Sequence, residues 1–133
     1  MSLERQLQDL ADKQAIYEVV ARYCRGVDRL DLELVRSCYH PDAREHHPGF
    51  DGGRDDYIAW IGQGLVRFEG TMHVIANHLV EIDGDLARAE TYVNAYHWST
   101  DGTYYASDRI LVKHDENYKT AHPDRLSQAG ATQ

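Results

Sequence analysis

The spacing of apolar residues changes once along this chain, near Gly70, and that change constrains the fold more than any other feature. Before it, the period is helical. Ile16, Val19, Val20, Tyr23 and Val27 recur between charged residues, which predicts a long amphipathic helix from about Leu10 to Arg29. Asp31 is placed to cap a short helix running through Leu34 and Val35 to Cys38, and His40-Pro41-Asp42 ends it, because proline disfavours helix in the residue before it. Turn formers fill Pro48 to Gly53. Tyr57, Trp60, Ile61, Leu65 and Phe68 then return to helical spacing, with Gly70 as the expected C-terminal cap.

After Gly70 the pattern is extended. Thr71 to Ile82 is rich in β-branched and apolar residues, Asp83-Gly84-Asp85 supplies a tight turn, and Leu86 to Ser99 reads as the return strand. Asp101-Gly102 precedes a third strand from Thr103 to His114, and Asp115-Glu116-Asn117 precedes a short fourth from Tyr118 to Ala121. Helices first and an antiparallel meander afterwards predict an α+β fold with the helices on one sheet face. The expectation is a single domain over residues 1–133, with its core at about 10–121 and a polar, frayed tail at 122–133.

Strand alternation assigns the faces. His73, Ile75, Asn77 and Leu79 form one row of the first strand, and Met72, Val74, Ala76, His78 and Val80 the other. Both rows are fairly apolar, which predicts cover on both faces. In the second strand Ala89, Thr91, Val93, Ala95 and His97 form the inward row. The outward row carries Tyr92, Tyr96 and Trp98 among polar groups, and suits a homodimer or homotrimer contact better than bare solvent.

Composition excludes several functions. With 133 residues, 42% of them hydrophobic, the chain has enough material for a core. A formal charge of −8 disfavours nucleic acid and anionic membranes as partners. No apolar run approaches the roughly 20 residues of a spanning helix. Cys24 and Cys38 read as two reduced thiols, and the absence of a secretory pattern at the first residues sets the expectation of a cytoplasmic protein. Eight histidines raise the question of a metal, with His40, Asp42, His46 and His47 the densest group. Yet the spacing matches no zinc or calcium signature, and no metal is expected. His46 and His47 are adjacent, so in an extended segment only one can face a pocket. Gly52-Gly53 lacks a nucleotide fingerprint, and no serine elbow occurs.

The pair that could carry chemistry is Asp28, at the end of the first helix, and His73, at the start of the first long strand. Each alone has an ordinary structural role open to it, Asp28 as a cap or ion-pair partner and His73 as a core histidine. If helix packs on strand, Asp28 holds one imidazole nitrogen and leaves the other as a general base.

Ala15-Ile16-Tyr17-Glu18-Val19-Val20-Ala21-Arg22-Tyr23 leading into Val27-Asp28, Cys38-Tyr39-His40-Pro41-Asp42-Ala43, and Met72-His73-Val74-Ile75-Ala76-Asn77 together resemble the SnoaL-like branch of the nuclear-transport-factor-2-like superfamily, over about residues 10–121. That superfamily includes scytalone dehydratase, a hexachlorocyclohexane dehydrochlorinase and polyketide cyclases. The resemblance implies a cone-shaped, cystatin-like half-barrel of N-terminal helices on a curved, mainly antiparallel sheet. It also implies a cofactor-free lyase or isomerase acting on a small apolar or aromatic molecule by dehydration, isomerisation or cyclisation. His73 is then the base and Asp28 its orienting carboxylate. Tyr23 is a candidate hydrogen-bond donor and His97 a candidate second acid, while Trp60, Ile61, Leu65, Phe68, Ile75 and Val93 are the candidate apolar lining. Two departures argue against dehydrochlorination: Tyr23 stands where the dehydrochlorinase pattern has a lysine, and the chain has about Pro123 where that pattern has an arginine. The superfamily also contains non-catalytic members that bind ligands or serve as assembly subunits, and these are the alternative.

Overall fold

The structure, a computed structural model, describes residues 1–102 and the strand backbone of 104–113 and 131–132. The expected strand Tyr118 to Ala121, the position of Pro123 and most of the expected tail lie outside the described residues.

Helix α1 (Leu3–Asp28) starts a full two turns earlier than the apolar periodicity indicates. Ser2 caps it by accepting the Arg5 amide at 3.2 Å. Its first turns carry Leu3, Leu7 and Leu10 exposed, so no burial pattern marks them. Further along, Ile16, Val19 and Val20 are almost wholly buried, worth about 1.5–3 kcal/mol each.

The C-terminus of α1 decides where Asp28 sits. The Leu30 amide donates to the Val27 carbonyl and the Asp31 amide to the Gly26 carbonyl, the paired bonds of a Schellman motif. Leu30 takes the left-handed position at φ 54°, where glycine is usual. Asp28 is therefore the last helical residue, held rigidly. Asp31 at once caps α2 (Leu32–Ser37), its carboxylate accepting the Leu34 amide at 3.0 Å. Gly26 lets the two helices meet: a Cβ there would stand 2.7 Å from Val35 Cγ2 and 3.1 Å from the Asp31 carbonyl oxygen.

The turn-rich stretch after α2 holds a small hairpin that the sequence did not reveal. Strands β1 (Arg44–His47) and β2 (Phe50–Gly53) pair antiparallel across Pro48-Gly49. Four-residue strands are too short to establish a period of two. Helix α3 (Arg54–Leu65) follows and ends at Val66, so Gly70 is not its cap but the first residue of β3. Gly70 is needed there for another reason, because the Trp98 indole lies across it and leaves no room for a Cβ.

The main sheet is open, in the order β3 (Gly70–Asp83), β4 (Leu86–Trp98), β5 (Tyr104–Lys113), β6 (Ala131–Thr132), all antiparallel. The fold is α+β as expected, with α1 packed on β3. β6 falls within the stretch read as frayed tail, and its pairing with Leu111 and Val112 is a backbone interaction that no side-chain pattern announces.

One expectation about β3 fails. A register shift between Ile75 and His78 reverses the alternation, so His73 and Ile75 face inward with His78, Val80 and Ile82 rather than with Asn77 and Leu79. Leu79 is 72% exposed. Nor are both faces of β3 covered within the chain, since Met72 and Val74 are 49% and 41% exposed. In β4 the inward row of Ala89, Thr91, Val93 and Ala95 is buried as its alternation requires.

Candidate active site

Asp28 at the end of α1 and His73 near the start of β3 meet where helix packs on strand. Asp28 Oδ1 lies 2.7 Å from His73 Nδ1. Two further donors hold the carboxylate: the Thr71 hydroxyl gives Oδ1 a bond at 3.0 Å and the His73 amide gives Oδ2 one at 3.0 Å. Thr71 and His73 are two residues apart and so share a strand face. Asp28 thus receives three bonds from one strand edge. Burial raises its carboxyl pKa, but the His73 ring, the His73 amide and Thr71 outweigh it, and the net shift is downward. An ionised carboxylate accepting from Nδ1–H fixes that tautomer and leaves the Nε2 lone pair free to accept a proton. The side chains are 10% and 22% exposed, sheltered yet reachable.

His97 stands next to the pair. Its ring centroid is 5.6 Å from that of His73 in an edge-on arrangement and 4.9 Å from that of Phe68. Burial lowers its pKa, the His73 charge lowers it further, and Asp28 partly opposes them. His97 is therefore neutral at neutral pH and offers one N–H. His47, at the end of β1, is the neighbour that the sequence left undecided. It packs on Tyr57 and Trp60, its pKa lowered by burial and by the His73 charge, with the Pro48 carbonyl opposing. His46 points away, pairing with Asp51 at 3.1 Å. Among the described residues no three metal-binding side chains converge.

The candidate lining residues separate into groups. Phe68 packs on His97, which itself meets His73, and Trp60 joins the aromatic cluster of His47, Phe50 and Tyr57. Ile61 and Leu65 lie in the helical core with Ile16 and Val19, Val93 is buried on the inward row of β4, and Ile75 is half-buried. Tyr23 places its hydroxyl 2.5 Å from that of Tyr57. The Tyr57 connection escaped sequence reasoning because Tyr57 sits on the apolar stripe of α3 and reads as core. Thr71 escaped it too, although period two from His73 was a usable signal. A separate hollow lined by Glu81, Ile82, Asp83, Leu86, Ala87 and Arg88 lies at the β3–β4 turn, the far end of the hairpin from His73. It holds no residue of this constellation.

Comparison with known proteins agrees with this architecture. No curated protein matches the chain. Among solved structures it is similar to the Kfla4162 protein from Kribbella flavida, at 24% identity over 93% of this chain and 90% of that one, with a TM-score of 0.71. It is similar also to a nuclear-transport-factor-2-like protein with a cystatin-like fold from Novosphingobium aromaticivorans, at 21% identity over 97% and 84%, TM-score 0.76. A candidate scytalone dehydratase from the same organism aligns at 20% identity over 93% and 96%, TM-score 0.65. At these identities the likeness is one of fold. Residues 8–123 match the SnoaL-like domain, and the chain belongs to that family.

Proposed function

We propose that this protein is a small cofactor-independent lyase or isomerase in which His73 abstracts a proton from a small, largely apolar or aromatic substrate. The observation that carries this reading is the 2.7 Å bond between His73 Nδ1 and Asp28 Oδ1 in a sheltered site. Nε2 takes the proton, and Asp28 stabilises the imidazolium that forms. His97, neutral and 5.6 Å away ring to ring, is the group placed to donate a hydrogen bond to a leaving oxygen or an enolate, while the proton itself comes back from His73. Protonated His73 then returns its proton to the product or to water, so the cycle closes without a cofactor. Whether the step ends as dehydration, isomerisation or ring closure depends on the substrate. A carboxylate bonded to an imidazole at this distance is the arrangement a general base requires, and it is what favours catalysis over the non-catalytic alternative.

The test uses 5-nitrobenzisoxazole, whose ring opens when a base removes its one acidic C–H. Replacing His73 by Ala is expected to slow ring opening by about 10²- to 10⁴-fold, the usual contribution of a positioned base. Unchanged turnover in that variant overturns the assignment. We also propose that the outer face of the main sheet, where Met72, Val74 and Tyr92 are exposed beside Tyr96, joins a second copy of the chain.

A further inference from the structure

Thr71 and His73 leave β3 on the same face and reach the same oxygen of Asp28. The Thr71 hydroxyl stands 3.0 Å from Asp28 Oδ1, and His73 Nδ1 stands 2.7 Å from that atom. The other oxygen, Oδ2, takes the His73 amide at 3.0 Å. A single strand thus carries the base together with all three of these donors to the carboxylate that serves it.

The sense of the Thr71 bond follows from the groups themselves. A hydroxyl has one proton to give and an ionised carboxylate can only accept, so Thr71 donates to Oδ1. Asp28 is kept ionised: burial raises its carboxyl pKa, but the His73 ring and amide, and then Thr71, bring it below the ordinary carboxylate value.

Geometry gives the bond its use. The last torsion of an aspartate is broad, so a carboxylate held only by the His73 amide at Oδ2 is free to turn and carry Oδ1 off the line to the ring. A second donor on Oδ1 stops that rotation. Thr71 is suited to supply it, because its β-branched side chain is stiff at χ1 and its place in the ladder is fixed. It stands opposite His97 in the β3–β4 register; beside it the Trp98 indole lies across Gly70, and the Glu69 amide donates to the Trp98 carbonyl at 2.9 Å.

We propose that Thr71 is a positioning residue of the dyad: its hydroxyl, donated to the same Asp28 oxygen that accepts His73 Nδ1–H, holds the carboxylate as a fixed anion turned toward the ring. Thr71 touches no substrate in this role and acts through Asp28. The proposal rests on the reading of His73 as the base.

Thr71→Val keeps the shape of the side chain and removes its proton. With 5-nitrobenzisoxazole, kcat is expected to fall about tenfold, the lower end of what one hydrogen bond to a charged group contributes, with KM nearly unchanged. Thr71→Ser, which returns the hydroxyl without the methyl, is expected to recover most of the loss. A merely structural Thr71 would make Val harmless or Ser no better than Val, and either result overturns the proposal, as does a loss confined to KM. A second readout needs no turnover. In protein labelled with ¹³C-aspartate, the Asp28 carboxyl carbon is expected to titrate at higher pH in Thr71→Val than in the unaltered protein or in Thr71→Ser, because the charged form has lost a donor. A titration that does not move overturns the proposal. Ring opening that proves independent of His73, with the Asp28 titration still shifted by Thr71→Val, would overturn the catalytic reading and leave the hold of Thr71 on Asp28 supported.

Discussion

His73 and Asp28, 45 residues apart in sequence, are joined twice: the His73 ring bonds one carboxylate oxygen and the His73 backbone amide bonds the other. The double attachment fixes the imidazole relative to its own strand as well as to the helix end. Since α1 closes in a Schellman motif directly after Asp28, neither partner has freedom to drift.

The charge of His73 reaches its neighbours, and this gives a first prediction. His97 and His47 both have pKa values lowered by burial first and by His73 next. A proton on His73 disfavours a second positive charge beside it, so His73→Ala is expected to raise both values, read from histidine ring resonances across a pH titration. A fall in either would contradict the arrangement.

His78 predicts a pH dependence of stability. Its Nδ1 pairs with Thr91 Oγ1 at 2.7 Å, its ring meets Tyr17 edge-on, and its Nε2 is buried without a hydrogen-bond partner among the described residues. Burial lowers its pKa below the value of about 6.5 that the unfolded chain shows. The unfolded state then binds more protons, and stability that is complete above pH 6.5 declines as pH falls toward the folded value. The urea midpoint of His78→Gln is expected to fall less between pH 7.5 and pH 5 than that of the unaltered protein. Equal declines would show that other groups are responsible.

Gly26 predicts a packing penalty. The Cβ of Gly26→Ala meets the Val35 amide nitrogen at 3.0 Å and the Asp31 carbonyl oxygen at 3.1 Å, and these backbone atoms cannot swing aside. Destabilisation of about 1–3 kcal/mol is expected in urea unfolding. Because the same contact supports the end of α1, ring-opening activity should fall with it. A neutral substitution would mean that the α1–α2 junction is looser than described.

The outer sheet face predicts self-association. Tyr92→Glu places a charge amid the exposed apolar row and should shift the sedimentation coefficient toward that of a single chain. An unaltered protein that already sediments as a monomer at high concentration would rule the contact out.

How much of this was readable in the sequence depends on what each residue does there. The three helices, the Asp31 cap and the β3–β4 hairpin follow from apolar spacing and turn residues, which act locally. Asp28 and His73 were readable as well, because one ends a periodic helix and the other begins a periodic strand. The reversal of β3 at Ala76 and Asn77 was not, since a bulge leaves composition unchanged and alters only the pairing. The first two turns of α1 were missed because Leu3, Leu7 and Leu10 bury nothing. Glu45 was invisible for the opposite reason: a charged residue in a four-residue strand reads as surface, and only the fold encloses it with tyrosines.

The tautomer of His73 tests the dyad most directly. Long-range proton–nitrogen NMR spectra of protein labelled with ¹⁵N-histidine report which ring nitrogen carries the proton, independently of any substrate. The bond to Asp28 predicts a protonated Nδ1 and a bare Nε2 in the neutral ring, with Asp28→Asn losing that preference. A neutral His73 protonated at Nε2 in the unaltered protein would contradict the account, because the nitrogen facing substrate would then have no lone pair with which to act as a base.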